Sequence, residues 1–319
     1  MNTLERDLPL TASAKPSGKL HHKINTLSAQ KWTESLLGFM FLAPSLVLFA
    51  IFLFYPLFQS IYLSVNETDP RGRIAGYVGL DNFTAIFTSE RFYKSLEVTG
   101  AFTLLTVPTG IVLALLLAAL THNHLKGMRI FQFIFSLPVV LSVSTSAVIW
   151  MMLFHPSVGM LNYMLSLLGI GPVAWLTDPR WALFSISMMT IWMNLGFNYI
   201  VLLSGLQGVP DDIYDSAKID GAGPIRTFVQ IIMPLVSPTI FFVTIVSIIG
   251  AFQSFGQIHI LTRGGPANST QFIVYSIYQD AFINYRFGIG SAQALVLFVL
   301  ILILTVVQFK AFERNVHYQ

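Results

Sequence analysis

The sequence predicts an all-α integral membrane protein with six transmembrane helices, and three observations carry that expectation. Of its 319 residues, 54% are hydrophobic and 10% are charged, whereas a soluble globular domain carries roughly 25% charged residues. Six stretches without Asp, Glu, Lys or Arg occur at Leu36–Ser64, Val98–Leu120, Ile130–Phe154, Trp181–Leu206, Leu235–Leu261 and Phe287–Phe309. Each is long enough to cross a bilayer, which takes about 20 mostly apolar residues. Finally, the Lys and Arg residues behind the net charge of +3 sit between these stretches and form no single basic face, a pattern of membrane orientation and not of nucleic-acid binding.

Residues 1–35 are polar, hold Arg6, Lys15, Lys19, Lys23 and Lys31, and read as a soluble tail. The apolar run that follows exceeds the ~7–15 residues of a signal-peptide core and shows no small-residue cleavage site, so it reads as an uncleaved helix. Pro44, Pro56, Pro108 and Pro138 lie inside the runs, where neighbouring helices and Ser/Thr side chains can satisfy the freed carbonyls. Ser142, Ser144 and Ser146 in the third run are small enough to let helices approach closely. With the N-terminus inside, the inner segments collect 11 Lys and Arg and the outer segments 7, so both termini are expected in the cytoplasm. A short C-terminal tail is expected at 311–319.

Several functions are disfavoured. The absence of cysteine removes disulfide, Cys-metal and thiol chemistry. No Asp, Glu, Lys or Arg lies within a span, although ionisable groups at membrane depth usually carry proton or ion coupling. No GxxxxGK[ST] loop is present to cradle nucleotide phosphates, so a pump of this kind draws its energy from another chain. His155 and His259 have no partner at metal-ligand spacing, and His122 and His124 in a short inner loop read as solvated.

The informative segment is the inner loop 207–236 between the fourth and fifth spans. Pro210 suits a first helical turn, Asp211 and Asp212 complement its dipole, and Gly221 and Gly223 offer the left-handed conformation that ends a helix. Pro224 can open a second short helix whose Ile225, Phe228, Val229 and Ile232 form one apolar stripe, expected to lie along the inner membrane face.

Within this loop Asp215, Ser216 and Ala217, then Gly221, then Ile231 and Pro234 resemble the Glu-Ala-Ala-x3-Gly-x9-Ile-x-Leu-Pro signature of permeases from binding-protein-dependent ABC importers. Asp215 stands for the usual Glu, Ser216 for the first Ala and Met233 for the Leu. Val78–Phe83, Leu153–Asn162 and Thr262–Pro266 resemble the carbohydrate branch of that family. Thr305–Lys310 and Val316–Gln319 are similar to its glycerol-3-phosphate permeases. The resemblance implies a MetI-like, type I importer fold, with a permease domain over 95–310 preceded by the first helix at 36–64. It implies that Asp215–Gly221 docks on an ATPase. It also implies a second homologous permease, two copies of a cytoplasmic ATPase that bind ATP and Mg, and an extracellular or periplasmic solute-binding protein. This chain itself would hold no cofactor and catalyse no reaction. The competing reading is an autonomous carrier or channel.

A solute path needs uncharged hydrogen-bonding groups at membrane depth. Asn194 and Asn198 lie one helical turn apart, as do Gln253 and Gln257, with Trp192, Tyr199, Phe252 and Phe255 nearby for stacking. The same amides can serve helix packing. A phosphorylated solute calls for cationic contacts, and no span contains Lys or Arg.

Overall fold

The computed structural model describes residues 37–122 and 127–313. The expected N-terminal tail 1–35, His124 and Val316–Gln319 lie outside them, whereas residues 311–313 continue the last helix. The chain divides into two compact units, Met1–Gln59 and Ser60–Gln319.

Helix α1 (Leu37–Ser64) presents Phe39, Phe41 and Phe52 to its surroundings, a composition suited to lipid. Pro56 would clash with the carbonyl four residues back. The helix widens over Ala50–Phe54, so that the Tyr55 N–H donates to Ala50, five residues back. The same device recurs before Pro234, where the Met233 N–H donates to Phe228.

In the larger unit, β1 (Asn66–Thr68) pairs antiparallel with β2 (Ile74–Tyr77). Next come α2 (Asp81–Phe87), α3 (Glu90–Thr121), α4 (Met128–Ser136), α5 (Val143–Leu153), α6 (Met160–Leu167) and α7 (Pro179–Gln207). The chain continues through α8 (Asp211–Ile219), α9 (Met233–Phe252), α10 (Gly256–Leu261), α11 (Ile273–Tyr278) and α12 (Phe287–Glu313). The 32 residues of α3 extend roughly 48 Å at 1.5 Å per residue, beyond the ~30 Å hydrocarbon core. Its charged first turns, with Arg91, Lys94 and Glu97, therefore project past the apolar run that the sequence marks at Val98.

Three expectations are corrected. The third run is not one straight helix: a 3-10 turn at Leu137–Val140 and extended backbone at Leu141 and Ser142 bend it by 104°. Pro138 sits in that turn, and Ser142 caps α5 by accepting the Thr145 N–H at 3.1 Å instead of serving as a small packing residue. Gly196 of α7 makes room for the bend, since a Cβ there would lie 2.6 Å from the Val139 nitrogen. The fifth run breaks at Gln253–Phe255, between α9 and α10. Finally, the segment after Pro224 is not a separate short helix. It runs from a turn at Pro224–Thr227 through the widened stretch into α9, one helical path from Pro224 to Phe252. Its buried line is Thr227, Ile232 and Val236, while Ile225 and Val229 are exposed. A helix packed on one side buries only the residues facing its neighbours.

The core lies where α3, α7 and α9 meet, through Phe102, Ala114 and Ala118 of α3, Ile186, Leu202 and Leu206 of α7, and Val236 and Val243 of α9. Buried hydroxyls on α3 are satisfied by their own helix: Thr99, Thr103 and Thr106 each donate to the carbonyl four residues back. Thr99 also accepts the Ile273 N–H at 3.0 Å and so ties α11 to α3.

Candidate functional site

Pro210 stands just ahead of α8 at an extended φ of −59° and ψ of 141°, one position earlier than the sequence places it, and Asp211 and Asp212 fill the first turn. The helix ends through two paired bonds: the Gly221 N–H donates to Lys218 at 3.1 Å and the Ala222 N–H to Ala217 at 2.9 Å. That closure needs a left-handed residue, and Gly221 supplies it at φ +72°. Gly223 is extended and precedes the Pro224 turn, whose Thr227 hydroxyl donates to the Gly223 carbonyl at 3.1 Å.

Each motif residue thus has a local reason. Ala217 is 3% exposed and so faces the interior, while Ser216 is exposed. Ile231 packs partly buried against the main core, and Pro234 follows the widened stretch that accommodates its ring. Asp215 is exposed and pairs with Lys218 at 2.9 Å on the same helix face. The Tyr214 ring stacks on His122, 5.5 Å away, which anchors α8 beside the end of α3. Burial, reinforced by the Asp211 carboxylate, pushes the Tyr214 phenol above its ordinary pKa. The outcome is a short rigid helix with Ile219 (86% exposed) and Ile225 (80%) as apolar points beside a carboxylate-rich face.

The structure separates the two amide pairs within the spans. Asn198 is buried, lies against Gly110 of α3 and accepts from Ser247 at 3.5 Å. Gln257 is buried and donates to Thr190 at 3.4 Å. Their partners one turn away, Asn194 and Gln253, are exposed, and Gln253 occupies the break between α9 and α10.

The three further motifs are loop architecture. Asn82 donates to the carbonyls of Ser64 and Asn66, and Gly79 turns the chain at φ +59°. Asn162 donates to Pro156 and Val173 and accepts from the Val173 N–H and the Trp175 indole, so every polar group of its side chain is used. Gly264 lies so close to Gln271 that a Cβ would meet its Oε1 at 2.4 Å.

Sequence reasoning missed one cluster entirely. Asp280 lies outside the apolar runs yet is 3% exposed, accepting from Arg286, from Asn284 at 3.1 Å and from Gln293 of α12 at 2.8 Å. Beside it Gln279 accepts from Arg91 and from Gln271 at 2.7 Å. The sequence signal was faint: an Asp six residues before an Arg in a connection reads as solvated.

Helices of membrane-spanning length, with a closed polar helix between α7 and α9, define a multi-pass membrane protein. Residues 101–318 match the family of binding-protein-dependent transport system inner membrane components, and the chain belongs to that family. It is 35% identical over 288 residues to the sn-glycerol-3-phosphate transport system permease protein UgpA of Agrobacterium fabrum, covering 89% of this chain and 97% of that one. It is 33% identical over 297 residues to the UgpA protein of Pectobacterium atrosepticum, covering 92% and 100%. Among solved structures, it resembles a chain of a bacterial alginate ABC transporter in complex with an alginate pentasaccharide-bound periplasmic protein. The TM-score is 0.79 at 25% identity, over 89% of this chain and 96% of that one. The expected ABC-importer permease fold and multi-pass membrane placement are thereby met.

Proposed function

We propose that this permease carries a sugar-like solute, with glycerol 3-phosphate the leading candidate, and that ATP hydrolysed by partner subunits drives it through α8. The observation that carries the coupling role is the doubly closed end of α8 at Gly221, with Ile219 and Ile225 exposed on either side. A helix whose last turn has two of its orphan carbonyls bonded in this way resists fraying when pushed. Exposed apolar points beside Asp215 and Asp212 suit a groove on a cytoplasmic ATPase. In this reading Asp215, Ser216, Ala217 and Gly221 form the docking knob, and Ile231 and Pro234 join it to α9.

The assembly comprises this chain, a second homologous permease, two ATPase copies that hold ATP and Mg, and an external solute-binding protein, with both termini in the cytoplasm. The solute assignment is supported by relatives named for sn-glycerol-3-phosphate transport that span nearly the whole chain. Asn194 and Gln253 are the candidates for contact with the passing solute, because they remain exposed while Asn198 and Gln257 bond within the bundle. The test is solute-stimulated ATPase activity of the reconstituted importer. Asp215→Lys is expected to abolish stimulation while the complex stays assembled, and normal stimulation would overturn the docking role.

A further inference from the structure

The end of α3 away from α8 encloses a cavity of about 100 Å³. Six of its lining residues carry the chemistry: Ser89, Arg91, Ser276, Asp280, Arg286 and Gln293. On the same measure a single water needs about 10–15 Å³, so the space admits a tetrahedral oxyanion. Two guanidinium groups against one carboxylate leave the lining at a net charge of +1. Ser89 is the cap position of the 32-residue α3, yet its side chain makes no capping bond, so the positive end of a long helix meets the cavity uncapped.

Two unpartnered polar atoms in the lining point to a ligand with definite hydrogen-bonding groups. The Ser276 hydroxyl is 1% exposed and the Gln293 side chain 5%, and the Ser276 Oγ and Gln293 Oε1 atoms are buried with no partner among the described residues. Buried orphans of this kind are costly when left unmet. Asp280 dictates which Gln293 atom is left over: it takes the Gln293 amide N–H at 2.8 Å, which leaves the carbonyl oxygen unbonded. Arg286, Asn284 and Gln293 occupy the Asp280 oxygens, so the carboxylate is turned to its own donors.

A complementary ligand must accept hydrogen bonds from Arg91, Ser276 and the helix end, and must also donate one to Gln293. Sulfate and chloride have nothing to donate. We propose that this cavity binds a hydroxyl-bearing oxyanion, either hydrogen phosphate or the phosphoryl group of a hydroxylated phosphomonoester. The site supplies the cationic contacts that no span contains.

The test is isothermal titration of the purified importer complex in phosphate-free buffer, without ATP or binding protein, using inorganic phosphate, sulfate and glycerol 3-phosphate as probes. Equilibrium binding needs no ATPase coupling, so failure of the docking reading leaves this result unaffected. Saturable phosphate binding is expected, with sulfate at least about tenfold weaker. Ser276→Ala, which removes a hydroxyl the fold does not use, is expected to weaken phosphate about tenfold at unchanged thermal stability. Arg91→Gln serves as the second variant and is expected to weaken phosphate at least as much. Glycerol 3-phosphate binding as tightly as phosphate identifies the transported solute as the source of the anion, and phosphate binding alone identifies the free ion. Absence of saturable binding by either, equal affinity for sulfate, or unchanged affinity in both variants would overturn the proposal.

Discussion

Gly221 allows the stiffness of α8 to be tested in isolation from packing. No heavy atom lies within 4 Å of the position a Cβ would take, so a side chain there acts only through the backbone. A non-glycine residue held left-handed costs about 1–2 kcal/mol, and Asn visits that region more readily. Gly221→Ala should therefore shift the equilibrium of the closed helix end about 5–30-fold toward opening. Gly221→Pro goes further. Proline locks φ near −65°, incompatible with +72°, and removes the N–H that bonds Lys218. Hydrogen exchange over residues 215–223 reads the closure directly, and solute-stimulated ATPase reads its consequence. The expected order of protection and of stimulation is wild type and Asn, then Ala, then Pro. Should Ala leave exchange unchanged, or should Asn behave like Pro, the left-handed closure is not what stiffens the loop and the reasoning fails.

Asn162→Ala should leave the Val173 N–H and the Trp175 indole without their acceptor, lowering thermal stability of the detergent-solubilised protein by about 1–3 kcal/mol. Gly196→Ala should cost about 1–3 kcal/mol by pressing a methyl on the backbone at Ser136 and Val139, a loss visible in the same melting experiment. Asp178 caps α7 by accepting the Arg180 N–H at 2.9 Å, and the Arg180 guanidinium holds its carboxyl below the ordinary 3.8. A depressed carboxylate stabilises the fold above its unfolded pKa and loses that contribution as pH falls through the folded value. Carboxyl NMR of the wild type should give a midpoint under 3.8, moving up toward it in Arg180→Gln.

The sequence by itself marked the runs long and apolar enough to cross a membrane, because lipid tolerates so few charges that six charge-free runs are visible without any contact information. It also marked the α8 loop, since a left-handed glycine, a buried small residue and a proline-relieving stretch are local demands that only particular residue types meet. Tertiary structure decided what depends on neighbours. The bend between α4 and α5 rests on a glycine of α7, and the segment after Pro224 rises into α9 because its buried line faces α3 and α7. Of four amides that looked equivalent along the helices, two bond within the bundle and two do not. Most of all, Asp280, Arg91 and Ser276 are scattered through connections that read as solvated, and only the approach of α3, α11 and α12 gathers them around one cavity. Periodicity and spacing report which residues share a helix face, whereas the partner across that face is set by long-range packing.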